Sequence, residues 1–151
     1  ARVWPAVRQR HPGATFTIIG FSPGAEVKLL AQAPGIELLP DLPDVRETVA
    51  RRRVVVLPFV SGGGIKNKLL EAAEMGRPIV GSRKSAQGLT GTPALRLAGS
   101  PAEWVAALSE LWRNPDKAAE LGREARAWVV AEHSWERVAR TALERLEEPV
   151  S

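Results

Sequence analysis

The chain has 151 residues, 44% of them hydrophobic and 25% charged, which is enough apolar material for one domain with a real core. It contains no cysteine, which excludes disulfides, thiol chemistry and cysteine-based zinc sites. A formal charge of +4 favours anionic partners, but the arginines are scattered and no aromatic stacking motif accompanies them, so nucleic acid is not an expected partner.

In chain order, Trp4 to Arg10 predicts a short helix stopped by His11-Pro12-Gly13. Thr15 to Gly20 predicts a strand closed by the turn Ser22-Pro23-Gly24. Ala25 to Ala33 is amphipathic, with Val27, Leu30 and Ala31 on one side, and ends at Pro34-Gly35. A short strand, Ile36 to Leu39, leads into the loop Pro40-Asp41-Leu42-Pro43, and Val45 to Arg52 forms the next helix. Val54 to Leu57 is apolar without polar alternation, the pattern of a strand buried on both faces in a parallel sheet.

Pro58 cannot donate to a ladder and ends that strand. Gly62, Gly63 and Gly64 follow, and a helix is expected to start near Ile65, with Ile65, Leu69 and Ala72 on one face. Lys66 and Lys68 fall in its first turn, where the helix dipole favours acidic residues and each lysine costs about 0.3–1 kcal/mol. Backbone without Cβ atoms, unpaired helical amides and two misplaced lysines together describe an anion site, most naturally for phosphate. The alternative is a tight turn whose lysines point into water and pair with carboxylates such as Glu71 or Asp41. Two familiar phosphate motifs do not fit. No glycine-lysine pair is followed by Ser or Thr, and a dinucleotide fingerprint starting at Gly62 would have Asn67 at its third glycine.

The pattern then repeats. Lys66 to Met75 is a helix, Gly76-Arg77-Pro78 a turn, Ile79 to Gly81 a strand, and Ser82 to Gly88 a second polar loop at a strand's carboxyl end. Leu95 to Leu97 is a last short strand. Ser100-Pro101-Ala102-Glu103 is a capping box with proline at the first position, opening a helix that carries Trp104, Leu108 and Leu111. A further helix runs from Asn114-Pro115 to about Glu132 through Leu121, Ala125 and Trp128, and Ser134 caps a third with Trp135, Val138, Leu143 and Leu146. The tryptophans are expected in the core, and His11 and His133 at the surface without ligand or base roles. Strands alternating with helices predict an α/β domain with a parallel sheet and helices on both faces. Ligands of such sheets sit beyond the carboxyl ends of the strands, where the loops Leu39–Leu42, Gly62–Lys66 and Ser82–Gly88 would line one crevice. With no leader and no long apolar run, the expected location is cytoplasmic.

The segment from Gly63 to Gly81, GGIKNKLLEAAEMGRPIVG, resembles the donor-site segment of the group 1 glycosyltransferases, retaining and metal-independent enzymes built from two Rossmann-like domains in the GT-B arrangement. The likeness extends to Val54–Phe59, to Ala86-Gln87-Gly88-Leu89 and to Ser134-Trp135-Glu136. It implies a single Rossmann-like domain over residues 1–151, the C-terminal half of a GT-B fold, with about five to six parallel strands. It implies a nucleoside diphosphate sugar as donor substrate, no cofactor and no metal, and a hexosyltransferase whose isolated donor-binding fragment is inactive. By position, Gly62, Gly63, Gly64, Ile65 and Lys66 would hold the donor diphosphate, with Lys66 catalytic through the charge growing on the leaving group. Glu71 would bind the ribose hydroxyls, or else be an ordinary i, i+3 partner of Lys68. The nucleobase would lie near Leu39, Pro40 and Asp41. The acceptor, a glycan, lipid or small molecule, would belong to an N-terminal domain, and the family is compatible with peripheral contact at an anionic inner-membrane face.

Two departures accompany the resemblance. The family often has glutamates eight positions apart, and the first falls on Gly63. The family's domain also opens with a strand and a basic loop ahead of the first helix, and in its strand order that strand lies between Thr15–Gly20 and Val54–Leu57. Those two strands are therefore expected either to pair directly or to enclose a gap filled by other residues or another chain. A non-catalytic nucleotide- or anion-binding module with the same loop is the competing function.

Overall fold

The structure is a computed structural model that describes residues 2–61, 67–134, 137, 139, 140, 143 and 144. Its elements are α1 (Val3–Arg10), β1 (Phe16–Gly20), α2 (Ala25–Leu30), β2 (Ile36–Pro40), α3 (Arg46–Ala50), β3 (Val55–Leu57), α4 (Asn67–Glu74), β4 (Ile79–Gly81), a 3₁₀ turn (Arg83–Ala86), β5 (Arg96–Leu97), α5 (Pro101–Arg113) and α6 (Pro115–His133). The order is the expected one, and most differences lie at helix ends. The second helix stops at Leu30, short of Ala33, because Gln32 and Ala33 close tight turns onto Leu29 and Leu30 and Pro34 disfavours helical backbone before it.

All strand pairing is parallel. β1 runs beside β2, Phe16 opposite Ile36 through Gly20 opposite Pro40. β4 lies between β3 and β5, with Val56 opposite Val80 and Val80 opposite Arg96. Among the described residues these make a two-stranded and a three-stranded sheet, and no ladder joins β1 to β3. Direct pairing of the two strands is thus not adopted. The burial follows from this. Central β4 is buried throughout, whereas in β3 only Leu57 is buried and Val55 and Val56 are half-exposed. The apolar β3 sequence led us to expect burial on both faces, which a strand lacking one neighbour does not reach.

Two clusters form the core. Leu57, Leu69, Ala72, Ala73 and Ile79 pack with Ala125, Trp128 and Val129 of α6, and Val80 packs with Ala98, Leu111, Ala118 and Leu121. The close approach of α6 needs Gly122, since a Cβ there would collide with the carbonyl of Gly76 in the α4–β4 turn. The tryptophans on α5 and α6 serve packing, as expected: Trp104 lies against the second cluster and Trp128 belongs to the first.

The capping box of α5 forms in full. Ser100 Oγ accepts from the Glu103 amide at 3.2 Å, and the Glu103 carboxylate accepts from the Gly99 and Ser100 amides at 2.6 and 3.3 Å. Those backbone bonds, the one from Gly99 foremost, hold the Glu103 carboxyl below its ordinary pKa. At the other end of α6, Ser134 Oγ accepts from the Arg137 amide at 3.3 Å, the cap placed there from sequence; Trp135, Val138 and Leu146 lie outside the described residues.

One histidine corrects the sequence reading. His11 is buried, its ring 5.7 Å from that of Trp112, because the end of α1 meets the last turn of α5. Arg53 lies over the same indole, 4.8 Å from its centroid. His133 is half-buried, edge-on to Trp128 at 4.9 Å. No described helix is long and apolar enough to cross a membrane.

Candidate functional site

The candidate site starts where β3 ends. Beyond Leu57 the chain runs through Pro58, Phe59, Val60 and Ser61 toward Gly62–Lys66, and those five positions, with the diphosphate and catalytic roles expected of them, lie outside the described residues. The geometry of their approach is described. β4 stops at Gly81, so the ladder cannot carry β3 further, and two serine hydroxyls continue the bonding instead. Ser85 Oγ donates to Leu57 O at 2.7 Å, and Ser82 Oγ donates to Phe59 O at 2.6 Å. The Ser82 amide also donates to Leu57 O at 3.1 Å, and the hydroxyls stand 3.2 Å apart. Ser85 is fully buried, and its Oγ lies where a Cβ on Gly81 would approach within 2.8 Å, so the serine clamp requires glycine there. Sequence reasoning marked Ser82–Gly88 as a polar loop at a strand end but did not foresee that two of its hydroxyls turn inward. The only available signal was small residues three apart directly after a strand.

α4 presents the next group. Leu69, Ala72 and Ala73 face the core, leaving Lys68 and Glu71 on the exposed side. Lys68 Nζ lies 3.0 Å from Glu71 Oε2, the i, i+3 ion pair weighed from sequence. With side chains 65% and 46% exposed, such a pair contributes only about 0.2–0.5 kcal/mol, so little opposes its exchange for a ligand hydroxyl.

The third group lies at the ends of β1 and β2. Leu39 is half-buried, Pro40 and Asp41 are exposed, and Asp41 adopts a left-handed conformation with φ 54°. Its amide donates to Gly20 O at 3.0 Å, and its Oδ1 accepts from the Ser22 amide at 2.7 Å, tying the two loops together. Ser22 also has positive φ, 44°. This coupling was missed, because nothing in the sequence marks residues so far apart as partners. Among the described residues no hydrogen bond or ion pair joins Asp41 to Glu71, so the expected base and ribose positions are not in direct contact. No described group of three or more His, Asp or Glu residues is placed to hold a metal ion.

Parallel strands flanked by helices, with irregular loops gathered at their carboxyl ends, define a Rossmann-like α/β domain of the kind that forms the C-terminal half of a GT-B transferase. Residues 1–114 match the sequence profile of the family described as Glycosyl transferases group 1, and the chain belongs to that family. The same fold is found in HepE of Anabaena, solved in complex with UDP, with a TM-score of 0.82 at 18% identity over 98% of this chain. HepE in complex with UDP-glucose gives 0.79 at the same identity and coverage. Sucrose-phosphate synthase of Thermosynechococcus elongatus gives 0.76 at 18% identity over 97% of the chain. The chain spans less than half of these solved structures, 44% of HepE and 41% of the synthase. No curated protein sequence matches it.

Proposed function

We propose that this chain is the donor-binding domain of a glycosyltransferase that moves a sugar from a nucleoside diphosphate to an acceptor, with retention and without a metal. The observation that carries this reading is the family match across residues 1–114, which includes the glycine-lysine segment after β3 and the whole of α4. The amides of Gly62, Gly63, Gly64 and Ile65, with Lys66, would take the diphosphate and stabilise the charge that grows on it as the sugar leaves. Glu71 would exchange its ion pair with Lys68 for the ribose hydroxyls, and the base would lie by Leu39, Pro40 and Asp41. UDP, the nucleotide bound in solved HepE, is the first donor class to try.

The acceptor would be held by a second domain of the complete enzyme. That enzyme would also supply a strand between β1 and β3, which no ladder joins among the described residues. The chain alone is then expected to bind nucleotide weakly and to turn nothing over.

The test is titration with UDP and with inorganic pyrophosphate, followed by amide NMR. Lys66→Ala should weaken both ligands, whereas Glu71→Ala should weaken UDP alone, by about tenfold or more for the loss of charge-assisted hydrogen bonds. Equal affinity for UDP and pyrophosphate, with Glu71→Ala silent, would leave a plain anion site and refute the donor role.

A further inference from the structure

We infer that Phe21 is the stacking surface for the nucleobase, presented by the hydrogen-bonded pair Ser22 and Asp41; this rests on the donor-domain reading above and adds to it a residue that recognises the base. Phe21 directly follows β1 and is 89% exposed, whereas the chain's other phenylalanines, Phe16 and Phe59, are half-buried. Leaving an aromatic ring in water forgoes one of the larger apolar burials a side chain can make. The backbone around it is held against its intrinsic preference. Ser22 and Asp41 are the two non-glycine residues with positive φ among the described ones, 44° and 54°. They stand at the carboxyl ends of adjacent parallel strands and are joined by the 2.7 Å bond from the Ser22 amide to Asp41 Oδ1. Strained residues that support one another at a strand end are where function is sought first.

The chemistry of the place selects the ligand. The carboxyl ends of parallel strands are where such folds bind nucleotides. A phenyl ring offers no charge or hydrogen bond to a phosphate or a sugar hydroxyl, but it offers a flat π face to a heteroaromatic ring. Base–aromatic stacking tolerates many bases, so Phe21 would supply affinity, and the polar backbone at Pro40 and Asp41 would be left to discriminate among them. Val60, 91% exposed just after β3, is a second apolar residue at a strand exit. It is aliphatic and lacks the π face.

Isothermal titration of the full chain with UDP and with inorganic pyrophosphate, comparing wild type, Phe21→Ala, Phe21→Tyr and Glu71→Ala, tests the inference. Phe21→Ala should bind UDP about tenfold more weakly and Phe21→Tyr within about twofold of wild type, as expected for stacking. Pyrophosphate affinity should be the same in all. Phe21 and Glu71 are both exposed, so neither substitution removes core packing, and the pyrophosphate arm reports on the integrity of the site. Unchanged UDP affinity in Phe21→Ala, with UDP lost in Glu71→Ala, overturns the stacking role and leaves the donor site standing. Equal losses for UDP and pyrophosphate also overturn it, because they would show a general loop effect. A wild-type chain that does not prefer UDP over pyrophosphate overturns both.

Discussion

Replacing Ser85 with alanine tests the clamp that fixes the end of β3. The residue is fully buried, so its hydroxyl has no water to turn to, and it donates to Leu57 O at 2.7 Å. Removing it strands no polar group. Leu57 O still accepts from the Ser82 amide at 3.1 Å, and Ser82 Oγ still donates to Phe59 O at 2.6 Å. The loss is therefore the net value of one neutral hydrogen bond, about 1 kcal/mol, without the further penalty of an orphaned acceptor. In a domain of this size that corresponds to a fall in Tm of roughly 2–4 °C. Equilibrium urea unfolding should show a lower midpoint at an unchanged m-value. A variant as stable as wild type would refute the clamp, and a loss above about 3 kcal/mol would refute the claim that the remaining bonds satisfy Leu57 and Phe59.

Gly122→Ala should destabilise the chain by about 1–3 kcal/mol, since the collision with Gly76 forces α6 away from α4 and outweighs the roughly 1 kcal/mol that alanine gains over glycine within a helix; a raised Tm would show that the contact has room to give. The Glu103 carboxyl, its pKa lowered by the Gly99 and Ser100 amides, binds protons less readily folded than unfolded. Its contribution is therefore present above the unfolded pKa and lost as the pH falls through the lower folded value. The stability difference between wild type and Glu103→Gln should accordingly shrink from pH 7 to pH 3 in urea titrations, and a difference independent of pH would refute the assignment.

What could be read from the sequence divides by the range of the interaction. Strand and helix order follow from local periodicity, and the α5 cap follows from Ser100-Pro101-Ala102-Glu103, a motif whose partners lie within one turn. The Lys68–Glu71 pair was legible for the same reason, being fixed by helical spacing. His11 was misjudged because its burial depends on Trp112, which lies far along the chain. The Ser85–Leu57 and Ser22–Asp41 bonds were invisible for a similar reason: each joins segments brought together only when parallel strands align. The local features thus supplied the outline of the site, and tertiary hydrogen bonds hold its parts in place.

The open edge of β3 bears on the site as well as on the sheet. Val55 N donates to Pro78 O and Leu57 O accepts from Ser82 N, so these two residues turn their backbone groups toward β4. Alternation along a parallel strand then points the N–H and C=O of Val56 the other way, toward the edge where no strand pairs among the described residues. Exposed edges of apolar strands invite pairing. The same strand leads through Pro58–Ser61 into the glycine-lysine segment. On the donor-domain reading, a strand laid parallel between β1 and β3 would therefore end beside the exits of both, next to Phe21 on one side and Val60 on the other. Completing the sheet and enclosing the nucleotide would then be one structural event, which gives a physical reason to expect weak binding by the chain alone.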